Sequence, residues 1–250
     1  MPQDSLYDRP DLYDVMAQRD AAMETFYVER ARRRGGRVLE LACGTGRLTV
    51  PLARACRSVV GADASPAMLE RARHQAAEAR VDVDFVELDM RDFTVTGDRF
   101  DTIILAANSI LHLLTHEELE GLFRSVARHL EPGGEFLFDA YIPSVSILSR
   151  NPQQRSPSAK GVHETLGPIW VEELVRYDPI SQVSHIDWYW SRAGAKDFWH
   201  SPLRLRQIFP QEMPLLLASG GLRLAARFGG FDGSPLTETS HRQVCVCTPA

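Results

Sequence analysis

The sequence predicts an α/β protein whose core is a mainly parallel sheet with helices on both faces, and three observations carry that expectation. From Arg37 to Phe138 short β-branched runs alternate with amphipathic helical stretches, the pattern of successive βαβ units. The strand candidates Arg37–Leu41, Ser58–Ala62, Asp84–Leu88, Thr102–Ala106 and Glu135–Phe138 are almost continuously apolar, as strands covered on both faces are. The first of them runs through Gly44 and Gly46 directly into a helical pattern.

The helix signals between these strands are specific. Ser65 followed by Pro66 supplies an N-cap and a first-turn proline, so a helix is expected through Met68, Leu69 and Ala72. Thr115 and Glu118 form a capping box ahead of Leu119, Leu122, Phe123 and Val126, whose spacing makes one buried stripe ending near Leu130. Residues 1 to 34 read as helical, with Gly35-Gly36 as the stop before the first core strand. After Ala140 the character changes. Asn151 to Lys160 is rich in proline, serine and polar residues and reads as a mobile loop, a lid by its length. The runs WVEELVRY and VSHIDWYW then alternate polar and apolar residues across an Asp178-Pro179 turn, as antiparallel strands do. A helix over Gln211–Ser219 and strands over Leu222–Phe228 and Gln243–Cys247 close the chain.

A chain of 250 residues fits one large domain with a modest insertion. Its 44% hydrophobic and 24% charged residues are those of an ordinary globular protein. The net charge of -5 provides no positive field to gather nucleic acid or an anionic membrane surface. The amino terminus is acidic and lacks a secretory pattern, and no apolar run reaches the length of about 18 residues needed to span a bilayer, so the expected location is the cytoplasm. Cys43, Cys56, Cys245 and Cys247 offer no CxxC spacing; Cys245 and Cys247 are expected on one strand face, and no structural metal is expected.

The segment VLELACGTGRLTVPLA, Val38 to Ala53, is the most informative: an apolar strand, a glycine turn and an amphipathic helix form a nucleotide-binding geometry. A dinucleotide fingerprint requires a third glycine where this chain has Thr49, which counts against NAD. A tight strand-to-helix turn without any ligand fits the same residues.

Glu40-Leu41-Ala42-Cys43-Gly44-Thr45-Gly46 resembles motif I of the class I S-adenosylmethionine-dependent methyltransferases. VVGADASPAMLERAR, ELDMRDF, RFDTIILAANSILHLL and HLEPGGEFLFD resemble, in order, the later motifs of that family. The resemblance covers residues 37 to 140 closely and 207 to 248 loosely. It implies a Rossmann-like seven-stranded mixed sheet of order 3-2-1-4-5-7-6, with an antiparallel β insertion after strand 5. It divides the chain into an N-terminal helical lid (1–36), a cofactor-binding core (37–140 and 207–250) and an insertion over the substrate cleft (141–206). The implied cofactor is S-adenosylmethionine, and the product S-adenosylhomocysteine. Implied cofactor contacts are Glu40, Ala42, Gly44 and Gly46 in the glycine turn. Asp63 would hold the ribose hydroxyls, with Ala64 and Met68 beside it. Asp89 and Met90 would meet the adenine, and Ala106 and Asn108, with Ser109, would lie near the sulfonium. YDRPDLYD resembles a segment that folds over the methionine end, which suggests Tyr13 and Tyr7. The family often has glycine where this chain has Ala42, and Cys43 stands within the turn.

Methyl transfer from a sulfonium mainly requires alignment and exclusion of water; a general base helps a hydroxyl acceptor more than an amine. His112, Tyr141 and His185 are the candidates for acid–base work, each equally compatible with a structural role. The insertion resembles the cover of small-molecule methyltransferases such as sugar N-methyltransferases, which use it over the active site or between subunits, so a homodimer is compatible with it. Trp188, Tyr189 and Trp190 would form an aromatic wall or, alternatively, two packed faces of a strand; Arg204 and Arg206 would face the cleft or solvent. The partner implied is a small-molecule methyl acceptor, methylated at N or O, with no nucleic acid and no membrane. A nucleic-acid or protein acceptor, a non-catalytic binding subunit and a nicotinamide oxidoreductase remain as alternatives.

Overall fold

The computed structural model describes residues 5–17, 19–95 and 99–250. In chain order its elements are α1 (Pro10–Met16), α2 (Ala21–Arg34), β1 (Arg37–Leu41), α3 (Thr49–Ala55), β2 (Ser58–Asp63), α4 (Pro66–Ala79), β3 (Asp84–Glu87), β4 (Phe100–Leu105), α5 (His116–His129), β5 (Leu130–Tyr141), α6 (Val145–Leu148), β6 (Ser156–His163), β7 (Gly167–Asp178), β8 (Val183–Arg192), β9 (Ala195–Arg206), α7 (Met213–Ser219), β10 (Leu222–Phe228) and β11 (Arg242–Pro249). Short 3-10 turns, Leu6–Asp8 and Ser109–His112, precede α1 and α5. Met1–Asp4 and Gln18, part of the stretch read as helical, lie outside the described residues.

The chain divides into two compact units: a larger one of Asp20–Ile142 and Ile208–Ala250, and a smaller one of Pro143–Gln207 with the described residues up to Arg19. The expected 1–36 segment is therefore split, because α2 belongs to the larger unit. Tyr27 and Ala31, one turn apart on α2, are completely buried in a cluster with Val38, Leu52, Ile104 and Val246.

In the larger unit seven strands form one mixed sheet, ordered β3-β2-β1-β4-β5-β11-β10. Neighbours from β3 through β5 run parallel, whereas β11 is antiparallel to both β5 and β10. With β10 and β11 as the sixth and seventh strands of this sheet, the order is 3-2-1-4-5-7-6, as the resemblance implied. Local chemistry sets the helices. The Ser65 hydroxyl accepts from the Met68 amide at the start of α4, and Thr115 and Glu118 close a reciprocal capping box on α5. Leu119, Leu122, Phe123 and Val126 are fully buried, as their stripe required. Gly121, on the same helix, permits a close approach: a Cβ there would lie 2.3 Å from the Arg91 carbonyl oxygen. That backbone contact explains a glycine at an otherwise unfavourable helical position.

β5 is longer than the sequence suggests. Its pairing with β4 jumps from Phe100↔Leu130 to Thr102↔Glu135, so Pro132-Gly133-Gly134 is taken up in an irregularity within the strand. A proline, which has no N–H to give, is tolerated there. Cys245 and Cys247 are both buried in β11.

The smaller unit is a four-stranded antiparallel sheet, β6-β7-β8-β9. Here the expectation of a loop over Asn151–Lys160 is corrected, since β6 begins at Ser156. β6 is an edge strand, paired with β7 alone, and its register shifts between Pro157 and Ala159. Edge position and irregularity accommodate the proline whose presence suggested a loop. One cluster, Leu6, Leu12, Ile169, Val171 and Trp190, anchors α1 on this sheet. Among the described residues no helix is long and apolar enough to cross a membrane.

Candidate active site

The larger unit gathers its chemistry at the carboxyl ends of β1 to β5, around the β1/β4 boundary where the strand order reverses. Open α/β sheets bind ligands at such a switch point. The turn after β1 is built from positive φ angles: Ala42 at 50°, Gly44 at 56° and Gly46 at 84°. The family's frequent glycine in place of Ala42 is thereby explained, since an alanine there holds a left-handed conformation at a cost of about 1 kcal/mol. Cys43 is buried, with its amide donating to the Ala62 carbonyl at 2.9 Å, so its side chain does not occupy the turn's open side. Gly46 lies against α4: a Cβ would sit 3.2 Å from the Ala72 Cβ and 3.3 Å from its Cα.

Asp63, the last residue of β2, braces this turn. Its Oδ2 accepts from the Gly44 amide at 2.8 Å and its Oδ1 from the Ser65 amide at 2.9 Å. Each oxygen retains a further lone pair for a hydroxyl donor. Burial raises its pKa above the ordinary carboxylate value, against the pull of the Ser65 and Gly44 amides. Ala64 is exposed beside it, whereas the Met68 side chain is completely buried.

Glu40 is buried at 3% exposure, and the Thr49 hydroxyl donates to its Oε2 at 2.6 Å. Burial pushes Glu40 up to about 8, with the Thr49 bond opposing. A carboxyl raised on folding binds a proton more tightly in the folded state. Its stabilising contribution is present below the unfolded value of 4.5 and is lost as pH rises through about 8. Glu40→Gln, a mimic of the protonated acid, is expected to flatten this dependence. Urea midpoints at pH 5 and pH 8 should show the wild type losing more stability than the variant, at up to about 1.4 kcal/mol per pH unit. Parallel profiles would show that Glu40 titrates normally.

Asp89, beyond β3, is exposed and gripped by its neighbour: Arg91 Nε lies 3.0 and 2.9 Å from its two oxygens, and the Arg91 amide donates to Oδ1 at 3.0 Å. The Arg91 hydrogen bond holds the acid below its ordinary pKa. An amine arriving at Asp89 has to share it with this guanidinium. Met90 is half-buried next to it.

At the end of β4, Ala106 is buried and is followed by two non-glycine residues at positive φ, Ala107 at 58° and Asn108 at 61°. Asn108 opens the 3-10 turn that ends in His112. Burial lowers His112 to about 4, so the ring is neutral at pH 7. Tyr141 ends β5, and its amide donates to Asn108 Oδ1 at 2.7 Å. Sequence reasoning missed the residues behind this loop, Asp139 and Tyr27; their only signal was an acid inside an otherwise apolar strand.

Tyr13 and His185 lie in the smaller unit. Tyr13 packs at the edge of the Leu12 and Trp190 cluster, 6.1 Å from the Tyr7 ring. His185 sits on β8 between Arg176 and Arg204. The aromatic wall is divided between two faces. Trp190 is fully buried and donates to Ser201 Oγ at 3.0 Å, and Trp188 donates to Glu173 Oε2 at 3.2 Å. Tyr189, on the opposite face, stacks under Arg155 at 3.4 Å and beside His200 at 4.9 Å. Arg206 is buried.

The strand ends thus bring two carboxylates, Asp63 and the Arg91-paired Asp89, beside a glycine turn whose Cys43 and Thr45 side chains are buried, with the acid of Glu40 buried behind it. Such a set repels a pyrophosphate and suits a nucleoside that carries positive charge, which S-adenosylmethionine does at its sulfonium and ammonium. Comparison with known proteins agrees. Residues 38–134 match the family model described as a methyltransferase domain. The chain is 33% identical over 149 residues to the cypemycin N-terminal methyltransferase of a Streptomyces species, covering 58% of this chain and 60% of that protein. The chain spans little more than half the length of the curated relatives it matches first, 53% and 60%. Among solved structures, the CcbJ methyltransferase from Streptomyces caelestis superposes with a TM-score of 0.83 at 25% identity, covering 98% of each chain. The sugar N-methyltransferase KedS8 from Streptoalloteichus superposes with a TM-score of 0.69 at 25% identity, covering 94% of this chain and 91% of that one. Residues 38–134 thus match a methyltransferase domain, set on a Rossmann-like sheet similar to that of S-adenosylmethionine-dependent methyltransferases.

Proposed function

We propose that this protein transfers a methyl group from S-adenosylmethionine to a nitrogen or oxygen of a small-molecule acceptor. The observation that carries the reading is the pairing of the Asp63 carboxylate with the Gly44 amide across a glycine turn whose Cys43 and Thr45 side chains are buried. When bound, the cofactor would supply an electrophilic methyl group, taken in line by the acceptor's lone pair as the S–CH3 bond breaks and S-adenosylhomocysteine leaves. Asp63 holds the ribose hydroxyls, and Ala42, Gly44 and Gly46 let the ligand reach the backbone. Glu40, mostly protonated at pH 7 and bonded to Thr49, braces the turn from behind, and Ala64 and Met68 shape its far side. Asp89 and Met90 take the adenine, and Ala106 and Asn108 border the reacting end. His112, neutral at pH 7, accepts a hydrogen bond from the acceptor; a base this weak orients an amine better than it deprotonates a hydroxyl. Tyr141 is the second candidate at that edge. No role in the reaction is assigned to Tyr13 or His185.

A small-molecule acceptor is supported by the near full-length likeness to the sugar N-methyltransferase KedS8 and by a net charge of -5, which suits neither nucleic acid nor an anionic membrane. The test is a panel of amino sugars, simple amines and phenols incubated with the protein and S-adenosylmethionine, with S-adenosylhomocysteine formation as the readout. Turnover with an amine supports the reading. Methyl incorporation into RNA or peptide amino termini alone would replace it with a macromolecular acceptor.

A further inference from the structure

We propose that Asp139 is a positioning residue that holds the loop between β4 and His112 in its working conformation, an inference that rests on the cofactor-binding reading above. Asp139 lies in the middle of the sheet, on β5 opposite Val244 of β11, and is completely buried. Three donors converge on it. The Tyr27 hydroxyl donates to Oδ1 at 2.7 Å, the Ala107 amide to Oδ1 at 2.8 Å and the Asn108 amide to Oδ2 at 3.2 Å. A buried carboxylate in a central strand is costly, and this one is spent on two consecutive amides of one loop.

Those two amides belong to the strained residues. Ala107 and Asn108 both hold positive φ without being glycine, and such residues persist only where their surroundings enforce them. Asp139 is the enforcing group: it accepts from both amides while their residues hold positive φ. Asn108 is fastened a second time, because its Oδ1 accepts from the Tyr141 amide. The loop is thereby tied twice to β5 before it enters the turn Ser109–His112. Asn108 accordingly acts through its backbone and its β5 contact, as a fastening of the loop.

Sheet order says which part of the ligand depends on this loop. Asp63 and Asp89 stand at the ends of β2 and β3, on one side of β1, while the loop stands at the end of β4 on the other. A ligand whose ribose meets Asp63 and which crosses the β1 turn brings its amino-acid end, not its base, to Ala106–Asn108. Loosening the loop should weaken S-adenosylhomocysteine far more than 5′-methylthioadenosine, which lacks that end.

Calorimetry with these two ligands tests the assignment. Asp139→Asn replaces one acceptor oxygen with an amide that faces a backbone N–H. S-adenosylhomocysteine affinity is expected to fall about tenfold or more, and 5′-methylthioadenosine affinity by less than about twofold. Adding Ala107→Gly, which takes positive φ without strain, should return part of the loss. Tyr27→Phe removes a buried hydrogen bond but leaves both loop amides held, so it should lower the melting temperature while leaving the ratio of the two affinities unchanged. Equal weakening of both ligands in Asp139→Asn, or an altered ratio in Tyr27→Phe, would reduce Asp139 to a general stabiliser and overturn the assignment. A wild-type protein that binds neither ligand would overturn the cofactor reading and this inference together, whereas tight wild-type binding unaffected by Asp139→Asn would sink the inference alone.

Discussion

Asp63→Ala is expected to weaken S-adenosylmethionine binding by about a hundredfold or more, the largest single effect on affinity in the site. On the proposed reading two charge-assisted hydrogen bonds to ribose hydroxyls would disappear, each worth about 1.5–3 kcal/mol. The Gly44 and Ser65 amides also lose their acceptor, so the glycine turn loses the brace that fixes it before the cofactor arrives. Asp63→Asn keeps one oxygen and should fall between the two proteins. Titration calorimetry with S-adenosylmethionine, S-adenosylhomocysteine and NAD as a control reads this directly. An affinity within about threefold of wild type in the alanine variant would mean that the ribose is held elsewhere.

A large loss of stability is expected from Gly46→Ala. The residue lies at φ 84°, and the added Cβ would press on the Ala72 Cβ and Cα at 3.2 and 3.3 Å. Backbone strain contributes about 1–2 kcal/mol and the crowding of α4 about 1–3 kcal/mol more. Gly233 separates the two contributions, because it has φ 78° but nothing within 4 Å of an added Cβ. Urea denaturation should therefore rank Gly46→Ala below Gly233→Ala by at least about 1 kcal/mol. Equal midpoints would show that α4 shifts freely and that the glycine serves backbone conformation alone.

Much of this architecture was legible because its signals are local. The Ser65 and Thr115 caps, the α5 stripe and the apolar runs of β1, β2 and β4 each announce themselves within a few residues. The carboxyl-end cluster was legible through ordered motifs, with Asp63 foremost. What was hidden depends on partners remote in the chain. Tyr27 meets Asp139 across 112 positions, and only that contact and the β4 loop reveal why an acid stands inside β5. The positive φ of Ala42 and Ala107 leaves no trace in residue type, because alanine normally signals helix. Residues 156–160 were read as loop because Pro157 and two serines mimic one; edge position overrides that composition. Tyr189 was separated from its tryptophan neighbours by strand alternation, which a sequence run conceals until the faces are known.

The position of β11 between β5 and β10 has a consequence for synthesis. A nascent chain emerging from the ribosome presents β1 to β5 first, and β5 is left with an unpaired apolar edge until Arg242–Pro249 has followed. During that interval, spanning the whole production of β6 to β9, the half-built sheet offers a template for pairing with other chains. Chaperone protection of this intermediate should raise the yield of native protein, and slow translation before β11 should lower it.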